Sequence, residues 1–140
     1  MSYAPKNFTA SATLTGSDAD TILTINAAAG LTLTLPAASG SGREFKVFIG
    51  TTVTSNNVII QVANASDVMA GLVMSAADGG DTLNGWETAS TSDTITLNGT
   101  TKGGIKGDHY VLVDCAAHLW AVTGWSSSTG TEATPFSAAV

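Results

Sequence analysis

The chain has 140 residues and a hydrophobic content of 44%, which fits one domain of ordinary size with a single core. Only 11% of the residues are charged and the net charge is −6, so the five lysine and arginine side chains are too few for a nucleic-acid binder. The apolar content is too high for a disordered chain, and no stretch approaches the roughly 18 apolar residues that a membrane-spanning helix needs.

Alternation of apolar and polar residues predicts a series of short β-strands along the chain. Two strands are predicted at residues 10–15 and 21–25, separated by a Gly-Ser-Asp turn. In the next strand Leu31, Leu33 and Leu35 alternate with threonines, which suit a pleated, half-exposed surface. The later predicted strands lie at residues 44–49, 58–62, 94–97, 110–113 and 119–123.

Clusters of Gly, Asn, Asp and Ser separate these strands and provide the turns between them. About eight short antiparallel strands at this spacing predict a single all-β domain, either a β-sandwich or a barrel. We expect extended arms at both ends, with residues 1–7 as an N-terminal arm, 8–125 as the β domain and 126–140 as a C-terminal tail.

Residues 66–77 leave two alternatives open. Ala, Met and Leu favour a short helix, with Ser66 or Asp67 as its N-cap. Gly71 and Val73 favour a strand instead. The pattern does not decide between helix and strand here.

The candidate interface residues lie mainly near the termini. Apolar side chains in the arms suggest docking on a neighbouring subunit, although frayed ends are the simpler interpretation. Trp86 lies in a polar run and is expected to be partly exposed, as an interface anchor more than as a sugar-binding platform. Trp120, in contrast, is predicted to lie in the core. The candidate interface residues are Tyr3, Pro5, Trp86, Pro135, Phe136 and Val140.

No catalytic, metal-binding or cofactor-binding residue is predicted. His109 and His118 are expected at a strand start and in a turn, and no Gly-x-Ser-x-Gly motif is present. Cys115, the only cysteine, follows an apolar strand and is expected to be buried and structural. The acidic pairs at residues 18 and 20 and at residues 78 and 81 resemble ordinary turns more than a calcium loop.

The glycine-rich stretch at residues 99–108 is interpreted as a tight connection between strands. A phosphate-binding loop would require Gly-Lys-Ser/Thr at the start of a helix. Here Lys102 precedes Gly103, and a strand is predicted to follow.

Two segments carry a resemblance to a known class of proteins. The strand-turn-strand unit at residues 30–50 and the glycine-rich turn with its following strands at residues 97–124 resemble small virion structural proteins of tailed bacteriophages. The resemblance to capsid decoration (cement) proteins implies a homotrimer that binds the major capsid protein on the outside of the head. It implies no active site, no cofactor and no nucleic-acid or membrane partner. The expected location is the capsid surface of the virion, after assembly in the host cytoplasm.

The alternative is a tail or head fibre domain that binds a host-surface glycan. Fibre domains usually belong to longer chains with repeats or a coiled-coil stalk, and this sequence has neither, which favours decoration. An enzyme, such as a glycan hydrolase, is the third hypothesis, and it would require paired carboxylates in a cleft.

Overall fold

A computed structural model describes residues 4–140, so Tyr3 lies outside the described residues. In this range the chain forms twelve β-strands and one short 3-10 turn at Gly16–Asp18, without an α-helix. The all-β prediction is therefore confirmed. The strands are β1 Lys6–Phe8, β2 Ala12–Thr13, β3 Ile22–Ile25, β4 Leu31–Thr34, β5 Glu44–Ile49, β6 Val58–Gln61, β7 Val68–Ala77, β8 Thr82–Glu87, β9 Thr94–Leu97, β10 His109–Ala116, β11 Leu119–Ser128 and β12 Phe136–Ser137.

The strands form two sheets. The larger has seven strands in the order β1-β3-β5-β10-β11-β7-β8, and the smaller has five in the order β12-β9-β6-β4-β2. The first six strands alternate between the sheets, and each of the first four pairs in parallel with the next strand of its own sheet. The N-terminal half therefore winds as a coil, whereas β7/β8 and β10/β11 are antiparallel hairpins.

The predicted antiparallel arrangement of about eight strands is not accurate, because the pairings within residues 4–140 are half parallel and half antiparallel. Alternation in a sequence defines which side chains face inward, but it does not define the direction of the neighbouring strand. The coil places β3 between β1 and β5, and the ten-residue strand β7 runs parallel to β11. The two sheets are mixed sheets.

The inward-facing side chains of both sheets form one core. Leu33 and Ile60 from the smaller sheet and Val47, Leu112 and Trp120 from the larger sheet are fully buried. The indole of Trp120 packs edge-on against Phe45, with ring centroids 5.6 Å apart. Burial of these apolar side chains is the main favourable contribution to folding, and the prediction that Trp120 lies in the core is confirmed.

Residues 68–77 form a strand, which resolves the ambiguity between helix and strand. Strand β7 pairs with β11 on one side and with β8 on the other, so two rows of backbone hydrogen bonds outweigh the helix propensity of Ala, Met and Leu. Gly71 has a φ of +152°, and a Cβ at this position would overlap the carbonyl oxygen of Val122. Only glycine permits this approach of the two strands.

Both ends of the described chain contribute strands. Strand β1 extends the larger sheet, while β12 pairs with β9 through Phe136 and Ile95. Residues 126–128 belong to β11 and not to a tail. Asp93 holds the last residues, because its Oδ1 accepts a 2.8 Å hydrogen bond from the Ala139 amide.

Candidate functional site: the outer face of the larger sheet

The predicted interface residues lie on different sheets. Pro5 is exposed just before β1, and Trp86 is half-buried on the edge strand β8, where it packs against the core. Pro135 and Phe136 are buried within the chain's own fold, so their side chains are not available as surface anchors. Val140 is 42% exposed.

The structure reveals a different apolar surface. Four of the most exposed large apolar side chains lie on strands of the larger sheet and point away from the core. They are Ile22 (40% exposed), Leu72 (50%), Leu83 (55%) and Trp125 (57%). We call the solvent-facing side of strands β3, β5, β10, β11, β7 and β8 the outer face.

One row of side chains crosses four strands of the outer face. Phe48 of β5 lies opposite His109 of β10, which lies opposite Trp125 of β11, and Trp125 lies opposite Met74 of β7. The rings of Phe48 and His109 are stacked, with centroids 5.2 Å apart and planes 15° from parallel. The register thus assembles a row of aromatic side chains from residues that are distant in sequence.

A second row lies beside the first, two residues away from it on each strand. It runs from Ile22 through Lys46, Val111 and Thr123 to Leu72. Lys46 forms a 3.6 Å ion pair with Glu44 on the same strand. This row contains three apolar side chains, one threonine and one lysine that is paired with Glu44.

The outer surface of the smaller sheet is of a different kind. Its solvent-facing strand positions are mostly hydroxyl and amide side chains, namely Thr32, Thr34, Gln61 and Thr96, with Ile59 as the apolar member. Among the described residues, the outward surface of the larger sheet therefore carries more large, exposed apolar side chains than that of the smaller sheet. Exposed apolar side chains grouped on one surface are typical of protein-protein contacts.

The sequence contained a signal for this surface. Trp120 and Trp125 lie on one strand at an odd separation, so their side chains point to opposite sides of the sheet. Since Trp120 is in the core, Trp125 must face solvent. The alternating pattern predicts a strand that ends at residue 123, so it does not place Trp125 on this strand.

The prediction that Cys115 is buried is wrong, because its side chain is exposed. The inward positions of β10 are Tyr110, Leu112 and Asp114, which gives Cys115 the outward position. A register shift between Asp114 and Ala116 follows at the end of the strand. The physical reason is that residues 39–41 donate hydrogen bonds to Asp114, so its carboxylate takes the inward position. Cys115, the next residue on the strand, therefore points outward.

Asp114 is the best-satisfied carboxylate in the described part of the chain. It accepts five hydrogen bonds: from the Ser39, Gly40 and Ser41 amides at 2.7–3.1 Å, and from the Ser39 and Ser41 hydroxyls at 3.1 and 2.6 Å. Burial alone would raise the pKa of Asp114, but these donors lower it to about 2. The carboxylate fastens the loop at residues 39–41 to β10.

The glycine-rich stretch at residues 99–108 is a tight connection, as predicted. The buried Asp108 accepts hydrogen bonds from the Gly104, Ile105 and Ser127 amides at 2.8–3.0 Å. Burial raises the pKa of Asp108 in spite of these amide donors. Burial and the nearby Asp108 carboxylate both raise the pKa of the Tyr110 hydroxyl. The hydrogen bond from the Ser127 amide to Asp108 joins the loop to β11.

The histidines occupy the predicted local positions. His109 begins β10, and His118 lies in the turn between β10 and β11 with a φ of +63°. The His118 Nδ1 lies 2.9 Å from Oδ1 of the buried Asp67, whose Oδ2 accepts from the Ala38 amide. Residues 4–140 contain no group of three or more His, Cys, Asp or Glu side chains arranged to hold a metal ion. Asp18 instead pairs with Lys6 at 2.7 Å.

Comparisons with known proteins give no match: neither a family model, nor a curated protein, nor a solved structure is significantly similar to this chain. In the described range no helix is long and apolar enough to cross a membrane.

Proposed function

We propose that the protein is a viral structural protein, a capsid decoration protein that binds the outside of a phage head and stabilises the shell. The observation that carries this proposal is the outer face, with its aromatic row of Phe48, His109 and Trp125. A sheet surface that exposes several large apolar side chains is suited to contact with other protein subunits. The resemblance of residues 30–50 and 97–124 to small phage virion proteins supports the choice of partner.

The exposed part of Trp125 provides a measure of the expected contact energy. A tryptophan side chain buries roughly 200 Å² when fully covered, and Trp125 is 57% exposed. At roughly 25 cal/mol per Å², covering this exposed part of the Trp125 side chain contributes about 3 kcal/mol to binding. Tryptophan is also among the residues that most often dominate interface energies.

The proposed partners are the major capsid protein and further copies of this chain in a homotrimer. A trimer presents three outer faces to the shell, and simultaneous weak contacts add through multivalency. Shell binding then stabilises the head by mass action, because the protein binds the assembled shell and not its separated subunits. In this proposal the protein acts at the capsid surface without catalysis or a cofactor.

The test compares two surface variants on expanded, undecorated heads of the phage that encodes the protein. Trp125→Ser removes the centre of the aromatic row, and Ile59→Ser removes an apolar side chain from the outer surface of the smaller sheet. Co-sedimentation should show that Trp125→Ser binds heads about a hundredfold more weakly than the unmodified chain. This is the loss in affinity that corresponds to the contact energy of about 3 kcal/mol. Ile59→Ser should bind like the unmodified chain. Equal affinity of all three proteins would contradict the proposal.

A second candidate function is glycan binding by a fibre domain. The observation that favours it is the exposed indole ring of Trp125, because sugar rings also stack on exposed aromatic side chains. Titration with host-surface glycans, followed by the tryptophan fluorescence of the unmodified chain and of Trp125→Ser, separates the two functions. A saturable change with glycan, together with no binding to heads, would replace the decoration proposal.

A further inference from the structure

Strand β8 is a free edge of the larger sheet. It pairs with β7 on one side, and within residues 4–140 no strand lies on its other side. In the same part of the chain, no hydrogen bond outside the β7 ladder reaches the backbone of residues 82–87. Alternate amide and carbonyl groups of an edge strand point away from the sheet, so β8 presents a row of groups that can pair with one more strand.

The other three sheet edges of the described chain carry features that hinder such pairing. Strands β2 and β12 have two residues each, and β1 has three. Pro5 precedes β1, Lys6 begins it, and Pro135 precedes β12. Short edge strands, proline and lysine are common means of blocking strand addition. Because β8 has six residues without proline, lysine or arginine, it is the edge best suited to accept another strand.

The side chains of β8 offer apolar contacts on both sides of the sheet. Trp86 lies opposite the buried Val73 of β7, so it points toward the core side, where it remains half-buried. Leu83 lies opposite Ala76 and points toward the outer face, with 55% of its surface exposed. A strand added at this edge places side chains next to both Trp86 and Leu83, and cross-strand contacts of this kind stabilise sheets.

Two exposed carboxylates flank the free edge. Glu87 ends β8, and Asp81 directly precedes its first residue. Neither side chain belongs to an ion pair within the described residues. Their even separation along the strand places both on the outer-face side. The edge is therefore acidic at both ends and apolar between them.

These carboxylates disfavour a second copy of the chain as the added strand. Two β8 strands related by a two-fold axis must pair residues that face the same side, so the registers with the longest overlap are centred on Asn84 and on Gly85. The first places Glu87 directly opposite Asp81 of the second copy, and the second places these two side chains diagonally adjacent. Like charges on neighbouring strands at such positions are destabilising. The net charge of −6 on each copy adds to this repulsion.

We propose that β8 binds an extended segment of another protein, which joins the larger sheet as an eighth strand and carries a basic residue at each end. Backbone hydrogen bonds to β8 provide the affinity, and side chains provide the selectivity. The basic residues lie opposite Asp81 and Glu87, and apolar residues lie opposite Leu83 and Trp86. The inference does not depend on the decoration proposal, because it involves the edge of the sheet and not the aromatic row of Phe48, His109 and Trp125.

The probe is the seven-residue peptide Lys-Val-Thr-Thr-Val-Thr-Lys, acetylated and amidated at its ends. In antiparallel pairing its lysines lie opposite Glu87 and Asp81, and its valines lie opposite Trp86 and Leu83. Titrated at low ionic strength into the ¹⁵N-labelled full chain, it should shift the amide resonances of residues 82–87 saturably. The same peptide with glutamate in place of both lysines should bind about fivefold more weakly, because its ends repel the two carboxylates.

Two charge-reversal variants test the role of the acidic ends. Glu87→Lys should weaken binding of the lysine peptide by about fivefold and strengthen binding of the glutamate peptide, because one end of the edge becomes basic. Glu44→Lys makes the same change of charge on β5, which three strands separate from β8, and should keep the preference of the unmodified chain. An unchanged dispersion of the amide spectrum shows that each variant is folded.

Three results would overturn the proposal: no saturable shift at residues 82–87, equal binding of the two peptides to the unmodified chain, or an unchanged preference in Glu87→Lys. A fourth is a shift of these resonances when the protein is diluted without peptide, which would assign the edge to a second copy of the chain. None of these results alters the test of head binding with Trp125→Ser, so the decoration proposal stands or falls separately.

Discussion

Ser41 donates two hydrogen bonds to a single oxygen of Asp114, from its hydroxyl at 2.6 Å and from its amide at 3.1 Å. The two residues are 73 positions apart in the sequence. This contact joins the loop before β5 to the end of β10. The local structure at this end of the larger sheet therefore depends on one buried carboxylate.

The first prediction concerns the removal of this carboxylate. Asp114→Ala leaves the three amides and two hydroxyls of residues 39–41 without their acceptor, so we expect a loss of about 2–4 kcal/mol in the free energy of unfolding. Ser41→Ala removes one donor and should cost about 1 kcal/mol. Urea denaturation followed by tryptophan fluorescence measures both. Equal stability of the Asp114→Ala and unmodified proteins would contradict the role of Asp114.

The pH dependence of stability gives the second prediction. The pKa of Asp114 is lowered in the folded protein from its ordinary value of 3.8 to about 2. The stabilisation is therefore fully present above pH 3.8 and is lost as the pH falls toward 2. The raised pKa of Asp108 acts in the opposite direction, since its contribution is present at low pH and is lost as the pH rises.

A comparison with Asp114→Asn isolates the effect of Asp114, because Asp108 is present in both proteins. The stability difference between the unmodified chain and Asp114→Asn should be largest near pH 6 and should shrink between pH 3.8 and about 2. Denaturant titrations at several pH values measure it. A difference that is independent of pH in this range would show that the charge of Asp114 is unimportant.

The inward residues of several strands were predictable from alternation alone. Phe45, Val47 and Ile49 are buried as the sequence pattern indicates, because a half-buried strand requires a period of two. The position of Cys115 was not predictable, because the donors that draw Asp114 inward come from a loop more than 70 residues away. Local patterning contains no information on such a distant partner.

The outer face was only partly predictable, for a related reason. The orientation of Trp125 follows from that of Trp120 on the same strand, but its neighbours Phe48 and Met74 are brought together by pairings between distant strands. The parallel pairing of β7 with β11 is set by the coil and the hairpins together, and no local motif specifies it. The sequence therefore identifies outward residues without indicating which of them form one surface.

The third prediction concerns Phe136, which the sequence suggested as an interface anchor. In the structure it is 8% exposed and pairs with Ile95 in the smaller sheet. Phe136→Ala should therefore reduce the free energy of unfolding by about 3 kcal/mol. Val140→Ala, at an exposed position, should change it by less than about 0.5 kcal/mol. Thermal denaturation measures both changes. If Phe136→Ala is as stable as the unmodified protein, the Phe136 side chain does not contribute to the core and remains a candidate surface anchor.

The last prediction concerns the assembly and the direction of the outer face. Light scattering of the purified chain should show a homotrimer, the closed symmetric form expected from the decoration proposal. If the outer face contacts the shell, Trp125→Ser should remain trimeric while its affinity for heads falls, since Trp125 then lies outside the contacts between copies. Ile59→Ser should retain both properties, because it alters only the polar surface of the smaller sheet. A monomeric Trp125→Ser protein would place the aromatic row between copies of the chain and would contradict its assignment to the shell. A monomeric unmodified chain, both in solution and as isolated density on decorated heads, would remove the trimer from the proposal.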